Sequence, residues 1–111
     1  MAESPGDVRI TLDGESETLK CCVEADREIS SQLGPYIGVL QKIAMFDRDA
    51  IVVIVAAGLG RKRRDVEDKV FRTGLDRLAD PVSEYVGFLT RGGRPVPRDD
   101  VKPKGDDSKN A

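Results

Sequence analysis

The chain has 111 residues, so its length predicts one domain with one small core. Apolar residues make up 39% of the sequence, but it has only two Tyr, three Phe and no Trp, so the core must be built mainly from Val, Ile, Leu and Ala. Charged residues make up 34%, yet the formal net charge is -2, which does not favour general binding to nucleic acid or to anionic membranes.

The composition also excludes several kinds of reactive site. The sequence has no histidine, which is the commonest general base near neutral pH and the commonest metal ligand. Cys21 and Cys22 are adjacent and there is no third cysteine, so no zinc site or redox motif of known spacing can be assembled. We expect two reduced thiols on opposite faces at the end of a strand, in a reducing compartment. No catalytic, cofactor-binding or metal-binding residue is predicted, and an enzyme is not expected.

Residues 1–5 are expected to be flexible, and they carry neither the basic region nor the apolar region of a secretory signal. The longest apolar run, Ala50–Ala57, is far shorter than the ~20 residues that cross a bilayer. These observations predict a cytoplasmic protein.

Residues 7–20 predict a β-hairpin. Val8, Ile10 and Leu12 alternate with polar residues and so form one apolar face. Asp13-Gly14 supplies the positive φ angles of a two-residue type I′ turn. A two-stranded ribbon is marginal in water, so its apolar face must pack on the rest of the chain or on a partner that pairs with an edge.

Two short helices are expected next. Ala25, Ile29 and Leu33 recur every four residues, and Gly34-Pro35 ends the first helix. The second helix follows Pro35 and ends near Phe46-Asp47. Its predicted apolar side consists of Tyr36, Val39, Leu40, Ile43 and, as a last candidate, Phe46.

The segment from Arg48 to about Gly58 is apolar nearly all round and therefore belongs to the interior. Its run Ile51–Val55 has strand propensity, whereas an N-cap at Asp47 and a glycine-rich end favour a helix. We predict a helix. As a strand, the segment would join the hairpin in a three-stranded sheet.

Two further helices complete the predicted domain. Asp65 opens one of them, and Asp80-Pro81 predicts the start of the other, with Asp80 as N-cap and Pro81 in the first helical position. Gly74 and Gly87 fall inside these helices and indicate close helix packing. The residues predicted to face inward are Val66, Val70, Phe71, Leu75 and Leu78, then Val82, Tyr85, Val86 and Leu89.

The predicted architecture is therefore α+β, with an N-terminal β-hairpin packed on a small bundle of four to five short helices. Residues 6–92 form the single domain. Residues 93–111 are rich in Pro, Gly, Lys, Arg and Asp, so we predict a disordered polar C-terminal tail.

Arg61, Lys62, Arg63 and Arg64 form a run of four basic residues and are the candidate partner contact. At the C-terminal end of an apolar helix, these cations would interact with the negative end of its dipole, and the acidic residues at 65–68 would partly neutralise them. The alternative is a small nucleic-acid-binding or regulatory protein that uses this run. Phosphate contacts weaken steeply with added salt, so a DNA titration at low salt tests that alternative.

Six pieces of the sequence, taken in order over residues 6–92, look like a known family. They are Gly6–Gly14, Leu33-Gly34, Asp49–Val52, Ala57–Leu59, Val70–Leu75 and Tyr85–Leu89. Their apolar and glycine positions resemble those of the tail-assembly-chaperone-like proteins of gene transfer agents and related tailed phages. The shared features are a strand hairpin with an Asp-Gly turn, a run of short helices and a polar C-terminal end. The basic run at 61–64 has no counterpart in the family.

What the resemblance implies is a non-enzymatic assembly factor in the cytoplasm of a bacterial host. Its expected partners are the long, helical tape measure protein, which it would hold soluble, and the tail tube proteins that gather around it. The family offers no catalytic, cofactor or ligand residue to carry over. A homo-oligomer is also expected, because a second copy would help both a thin core and an exposed hairpin edge. Membrane and nucleic acid are not expected as partners.

Overall fold

The computed structural model describes residues 5–95, which form a two-stranded antiparallel sheet followed by five helices. The elements are β1 (Val8–Leu12), β2 (Glu15–Leu19), α1 (Val23–Leu33), α2 (Tyr36–Ala44), α3 (Arg48–Leu59), α4 (Arg63–Thr73) and α5 (Leu75–Thr90). The predicted α+β fold, with an N-terminal hairpin on a small helical body, is confirmed. Of the predicted flexible ends, residues 1–4 and 96–111 lie outside the described residues.

The hairpin has the register that its sequence predicts. Leu12 pairs with Glu15 and Val8 with Leu19, so Asp13 and Gly14 form the two-residue turn, with φ angles of 53° and 83°. The apolar residues of β1 are buried, because this face of the ribbon packs on α4 and α5 while β2 packs on α3.

Helix α3 is the central element, and the prediction of a helix over this apolar segment is confirmed. The Asp47 carboxylate accepts a hydrogen bond from the Ala50 N–H at 3.2 Å, which satisfies one of the free donors in the first turn. Every residue from Ala50 to Ala56 is buried, because β2 and all four other helices pack around α3.

The core joins both strands to all five helices. Tyr85 on α5 is its largest fully buried side chain, and the Tyr85 hydroxyl donates to the Lys20 carbonyl at 2.5 Å, just beyond the end of β2. The Lys20 N–H in turn donates to the Gly58 carbonyl on α3 at 2.9 Å. These two hydrogen bonds fix the end of the hairpin between α3 and α5. Within residues 5–95, no charged side chain is buried.

The predicted boundary between the last two helices is wrong. Gly74 has φ of 101°, which an α-helix does not allow, so it separates α4 from α5 instead of lying inside a helix. Helix α5 therefore begins at Leu75, and Pro81 is its seventh residue rather than its first. Asp80 and Pro81 carry a local start signal, but the helix already begins at the backbone break six residues earlier. Proline at this position removes one hydrogen bond within the helix.

Three residues predicted to face inward differ from that prediction. Phe71 is 70% exposed, because it lies about 100° around α4 from the buried Val70. Phe46 is 51% exposed because α2 ends at Ala44, and Phe46 follows it with φ of 58°. Leu40, on the edge of the buried side of α2, is 36% exposed.

The structure also shows the surroundings of Gly87 and of the two cysteines, which differ in part from those that the sequence predicts. Gly87 lies inside α5 as predicted, but the group beside it is the side chain of Arg91, the C-cap of the same helix, rather than a neighbouring helix. The cysteines follow β2 instead of ending it: Cys21 is partly buried against the core, and the exposed Cys22 is the N-cap of α1. Both thiols are free.

Candidate partner-binding surfaces

The basic run spans the junction between α3 and α4. Arg61 and Lys62 lie between the two helices, close to the C-terminal end of α3 as predicted. Arg63 and Arg64 instead occupy the first turn of α4, which begins two residues before the predicted start at Asp65. Cations at this end of a helix are unfavourable to its dipole. The predicted dipole interaction is therefore available to only the first half of the run.

Carboxylates from other elements neutralise part of the run. The Arg61 guanidinium bonds both oxygens of Glu17 on β2 at 3.3 Å, and Arg63 Nη2 lies 3.4 Å from an Asp49 oxygen on α3. The prediction was that the acidic residues at 65–68 would partly neutralise the basic run. The observed partners come from β2 and α3 because the run crosses the surface between those elements.

A cleft of about 500 Å³ adjoins this run. Its lining includes Arg61, Lys62 and Arg63, and also Glu24 and Glu28 of α1. Because carboxylates share the cleft with the cations, the site has mixed charge rather than the concentrated positive potential that attracts phosphates.

The hairpin tip is fixed to the end of α4. The Asp13 N–H donates to Thr73 Oγ1 at 2.6 Å, and the Arg72 guanidinium donates twice to Asp13 Oδ2, at 3.0 and 3.1 Å. The hydrogen bond from Arg72 lowers the pKa of the Asp13 carboxyl, and the guanidinium charge acts in the same direction. The Asp13-Gly14 turn is thus held by residues about sixty positions later in the chain.

The outer face of the hairpin is polar. It carries Arg9 and Thr11 from β1 and Ser16 and Thr18 from β2, which alternate with the side chains that face the core. The ribbon therefore offers a partner its backbone edges and a polar face, because its apolar face is already used by the core.

Apolar side chains are instead exposed at α2. The described part of the chain has six exposed large apolar residues, which are Val23, Ile37, Leu40, Met45, Phe46 and Phe71. Four of the six lie within residues 37–46, and Ile37 and Met45 are 75% and 78% exposed. We refer to Ile37, Leu40, Met45 and Phe46 as the α2 apolar surface. Sequence reasoning missed this surface, although a signal was present: Lys42 is the single charged residue between Tyr36 and Phe46.

A smaller cleft of about 310 Å³ is lined by Cys21, Cys22 and Asp26, together with Leu89 of α5. Burial raises the pKa of the Cys21 thiol, and the Asp7 carboxylate raises it further. The thiol is therefore held in its neutral form, whereas a reactive cysteine requires a lowered pKa.

Alkaline pH is expected to destabilise the fold through two tyrosines. Burial raises the pKa of Tyr85 and of Tyr36, and the Tyr36 hydroxyl also donates to Asp26 at 2.5 Å. Above pH ~10 the unfolded chain loses tyrosine protons that the folded chain retains, so the free energy of unfolding falls as pH rises. Urea unfolding between pH 8 and 11 measures this slope. The Tyr85→Phe variant should show a shallower slope, and an unchanged slope would contradict the assignment.

No group of three His, Cys, Asp or Glu side chains within residues 5–95 is arranged to hold a metal ion. None of the five helices there combines the length and the hydropathy that crossing a bilayer requires. Comparisons with protein-family models, with curated proteins and with solved structures give no match.

Proposed function

We propose that this chain is a non-enzymatic tail assembly chaperone that binds the tape measure protein and aids assembly of the tail tube. The observation that carries the proposal is the resemblance of six sequence pieces, in order over residues 6–92, to the chaperone-like proteins of gene transfer agents and tailed phages. The architecture agrees with what that resemblance implies, since an Asp-Gly hairpin precedes a run of short helices.

The exposed surface supports the same proposal. A protein that holds a long helical partner soluble needs apolar side chains to offer to that partner, and charged side chains elsewhere to remain in solution. The α2 apolar surface supplies the first property. Charged side chains elsewhere on the surface supply the second property, and they include the ion pairs Arg61–Glu17 and Arg72–Asp13.

Co-expression tests the proposal. The partner to use is the product of a very long, helix-rich reading frame just downstream of the gene for this chain. We expect that long protein to be insoluble when expressed alone, and to become soluble and co-purify when this chain is present, because the exposed apolar surface of the partner is then covered. A long protein that stays insoluble and does not co-purify would contradict the proposed function. Expression beside an unrelated protein of similar size is the control.

A further inference from the structure

One exposed side of helix α2 carries large apolar residues instead of polar ones. A helix that is apolar nearly all round is ordinarily buried, as α3 is. Helix α2 has only Gln41 and Lys42 as polar side chains after Tyr36, yet it fully buries only Val39 and Ile43. Ile37 and Leu40 lie on one side of the helix, three residues apart, and both are exposed.

The end of α2 adds a second, independent observation. The Phe46 N–H donates to the Ile43 carbonyl, and the Asp47 N–H donates to the Lys42 carbonyl, each at 2.9 Å. This pair of hydrogen bonds is the Schellman motif, in which the residue after the cap adopts a left-handed conformation. Phe46 occupies that position with φ of 58°.

Two other helices of this chain end in the same motif with glycine at that position. Gly60 follows α3 with φ of 68° and Gly92 follows α5 with φ of 66°, and both show the matching pair of hydrogen bonds. Glycine has no Cβ and adopts this conformation without crowding, whereas phenylalanine is strained there. At the end of α2 the chain therefore carries a strained residue whose ring is half exposed. Strain of this kind is characteristic of binding and functional sites.

The charges around this surface indicate what it binds. The two carboxylates that follow this surface directly in the chain are both engaged, because Asp47 caps α3 and Asp49 is paired with Arg63. Lys42 on α2 and Arg48 two residues after Phe46 make no ion pair with any residue in the range 5–95. Two cations without an ion pair in that range therefore lie on α2 and just after it, in the same stretch of chain as the apolar residues, and a partner can neutralise their charge.

We propose that the α2 apolar surface binds an amphipathic helix whose apolar stripe is flanked by carboxylates. Ile37 and Leu40 of this surface lie three residues apart on one side of α2, so both can contact a single apolar stripe on a second helix. A second copy of this chain fits less well, because in a two-fold contact between α2 helices neither helix has a carboxylate to neutralise Lys42 of the other. The inference rests on the proposed function only for the identity of the protein that carries the helix.

A pair of synthetic peptides tests the proposed chemistry. Both carry Leu at positions i, i+3, i+4 and i+7 of a helical peptide, with Glu at the flanking positions in one and Lys in the other. Fluorescence polarisation at low salt should show saturable binding of the Glu peptide, and binding of the Lys peptide that is at least tenfold weaker. Equal affinity for the two peptides, or no binding of either, would overturn the proposal.

Substitutions locate the binding surface. The Ile37→Ser/Met45→Ser variant changes two strongly exposed side chains, so we expect its Tm to stay close to that of the unchanged protein while affinity for the Glu peptide falls at least tenfold. The matched control is Val23→Ser/Phe71→Ser, which removes two exposed apolar residues elsewhere and should leave binding unchanged. Equal losses in both variants would contradict a site at α2.

Phe46→Gly separates binding from folding. Glycine relieves the positive φ but removes the buried half of the ring, so the two effects oppose each other and Tm should change by less than roughly 5 °C. Affinity for the Glu peptide should fall at least tenfold. A large drop in Tm with unchanged peptide affinity would assign Phe46 to the core and overturn its role in binding.

Two further outcomes distinguish this inference from the proposed function. If the unchanged protein holds the tape measure protein soluble and the Ile37→Ser/Met45→Ser variant does so equally well, the function stands and the surface is wrong. If neither does so but the Glu peptide still binds at α2, the surface stands and the proposed function fails. Light scattering that shows a dimer, lost in the same variant, would assign the surface to a second copy and overturn the proposal.

Discussion

Replacing Gly58 with alanine is expected to lower the free energy of unfolding by about 1–3 kcal/mol, despite the higher helix propensity of alanine. A Cβ atom at Gly58 would lie 2.9 Å from Leu19 Cδ2, 3.0 Å from Leu19 Cβ and 3.2 Å from the Tyr85 hydroxyl oxygen. Leu19 is fully buried and its Cβ is fixed to the strand, so relief requires α3 and β2 to move apart. That movement would also weaken the hydrogen bond from the Lys20 N–H to the Gly58 carbonyl.

Gly38→Ala is the matched control. Gly38 also lies inside a helix, but beyond its two neighbours and the backbone of its own helix no atom lies within 4 Å of the position that a Cβ would occupy. This substitution should therefore raise the free energy of unfolding, by up to about 1 kcal/mol. Urea unfolding of both variants gives the comparison. If Gly58→Ala were as stable as Gly38→Ala, the close approach between α3 and β2 would not be a constraint on this fold.

Tyr85 should show the largest effect of any single side chain in the core. Truncation to alanine removes an aromatic ring that is fully buried between the hairpin and the helices, and we expect a loss of about 3–5 kcal/mol. A domain of this size has a total stability of only about 5–15 kcal/mol, so much of the Tyr85→Ala protein should be unfolded on mild heating. Thermal and urea unfolding, followed by circular dichroism, measure the loss.

The Tyr85→Phe variant separates the ring from its hydroxyl group. It keeps the ring and removes only the hydrogen bond to the Lys20 carbonyl, so we expect a loss of about 1 kcal/mol. A loss as large as that of Tyr85→Ala would show that the hydroxyl, rather than the packing of the ring, holds the hairpin against α5.

The elements that sequence reasoning predicted correctly are those whose cause is local. The Asp13-Gly14 turn, the alternation in β1 and the Asp47 cap each depend on residues within a few positions of one another, and the structure contains all three. The helical state of the segment from Arg48 was decided by the same local cap, in spite of the strand propensity of its valines and isoleucines.

The errors arose where a local signal competes with a backbone constraint or with tertiary packing. Asp80-Pro81 is a proper helix start in isolation, but Gly74 breaks the chain earlier and α5 continues through the proline. Gly58 does lie in the last turn of α3, as its sequence predicts, but its close approach to Leu19 and Tyr85 involves residues that are distant in sequence. Periodicity does not reveal such contacts.

The candidate binding surfaces show the same difference between features with a local cause and features that depend on residues distant in sequence. The basic run at 61–64 was visible in the sequence, but the carboxylates of Glu17 and Asp49 that pair with it come from elements that only the fold brings together. The exposure of Phe46 could not be predicted either, because helical periodicity places it on the apolar side of α2 only if the helix continues to that residue. The helix ends at Ala44, and the ring then points elsewhere.

The attachment of the hairpin tip to Thr73 and Arg72 has a consequence for synthesis on the ribosome. The hairpin is made before the five helices, and the side chain that accepts from the Asp13 N–H is added 60 residues after Asp13. At about 5–20 residues per second, the ribosome takes roughly 3–12 s to add those residues. During that interval the apolar face of β1 has neither α4 nor α5 to cover it. The nascent hairpin therefore exposes an apolar face and unpaired edges to wrong pairing until α4 and α5 emerge.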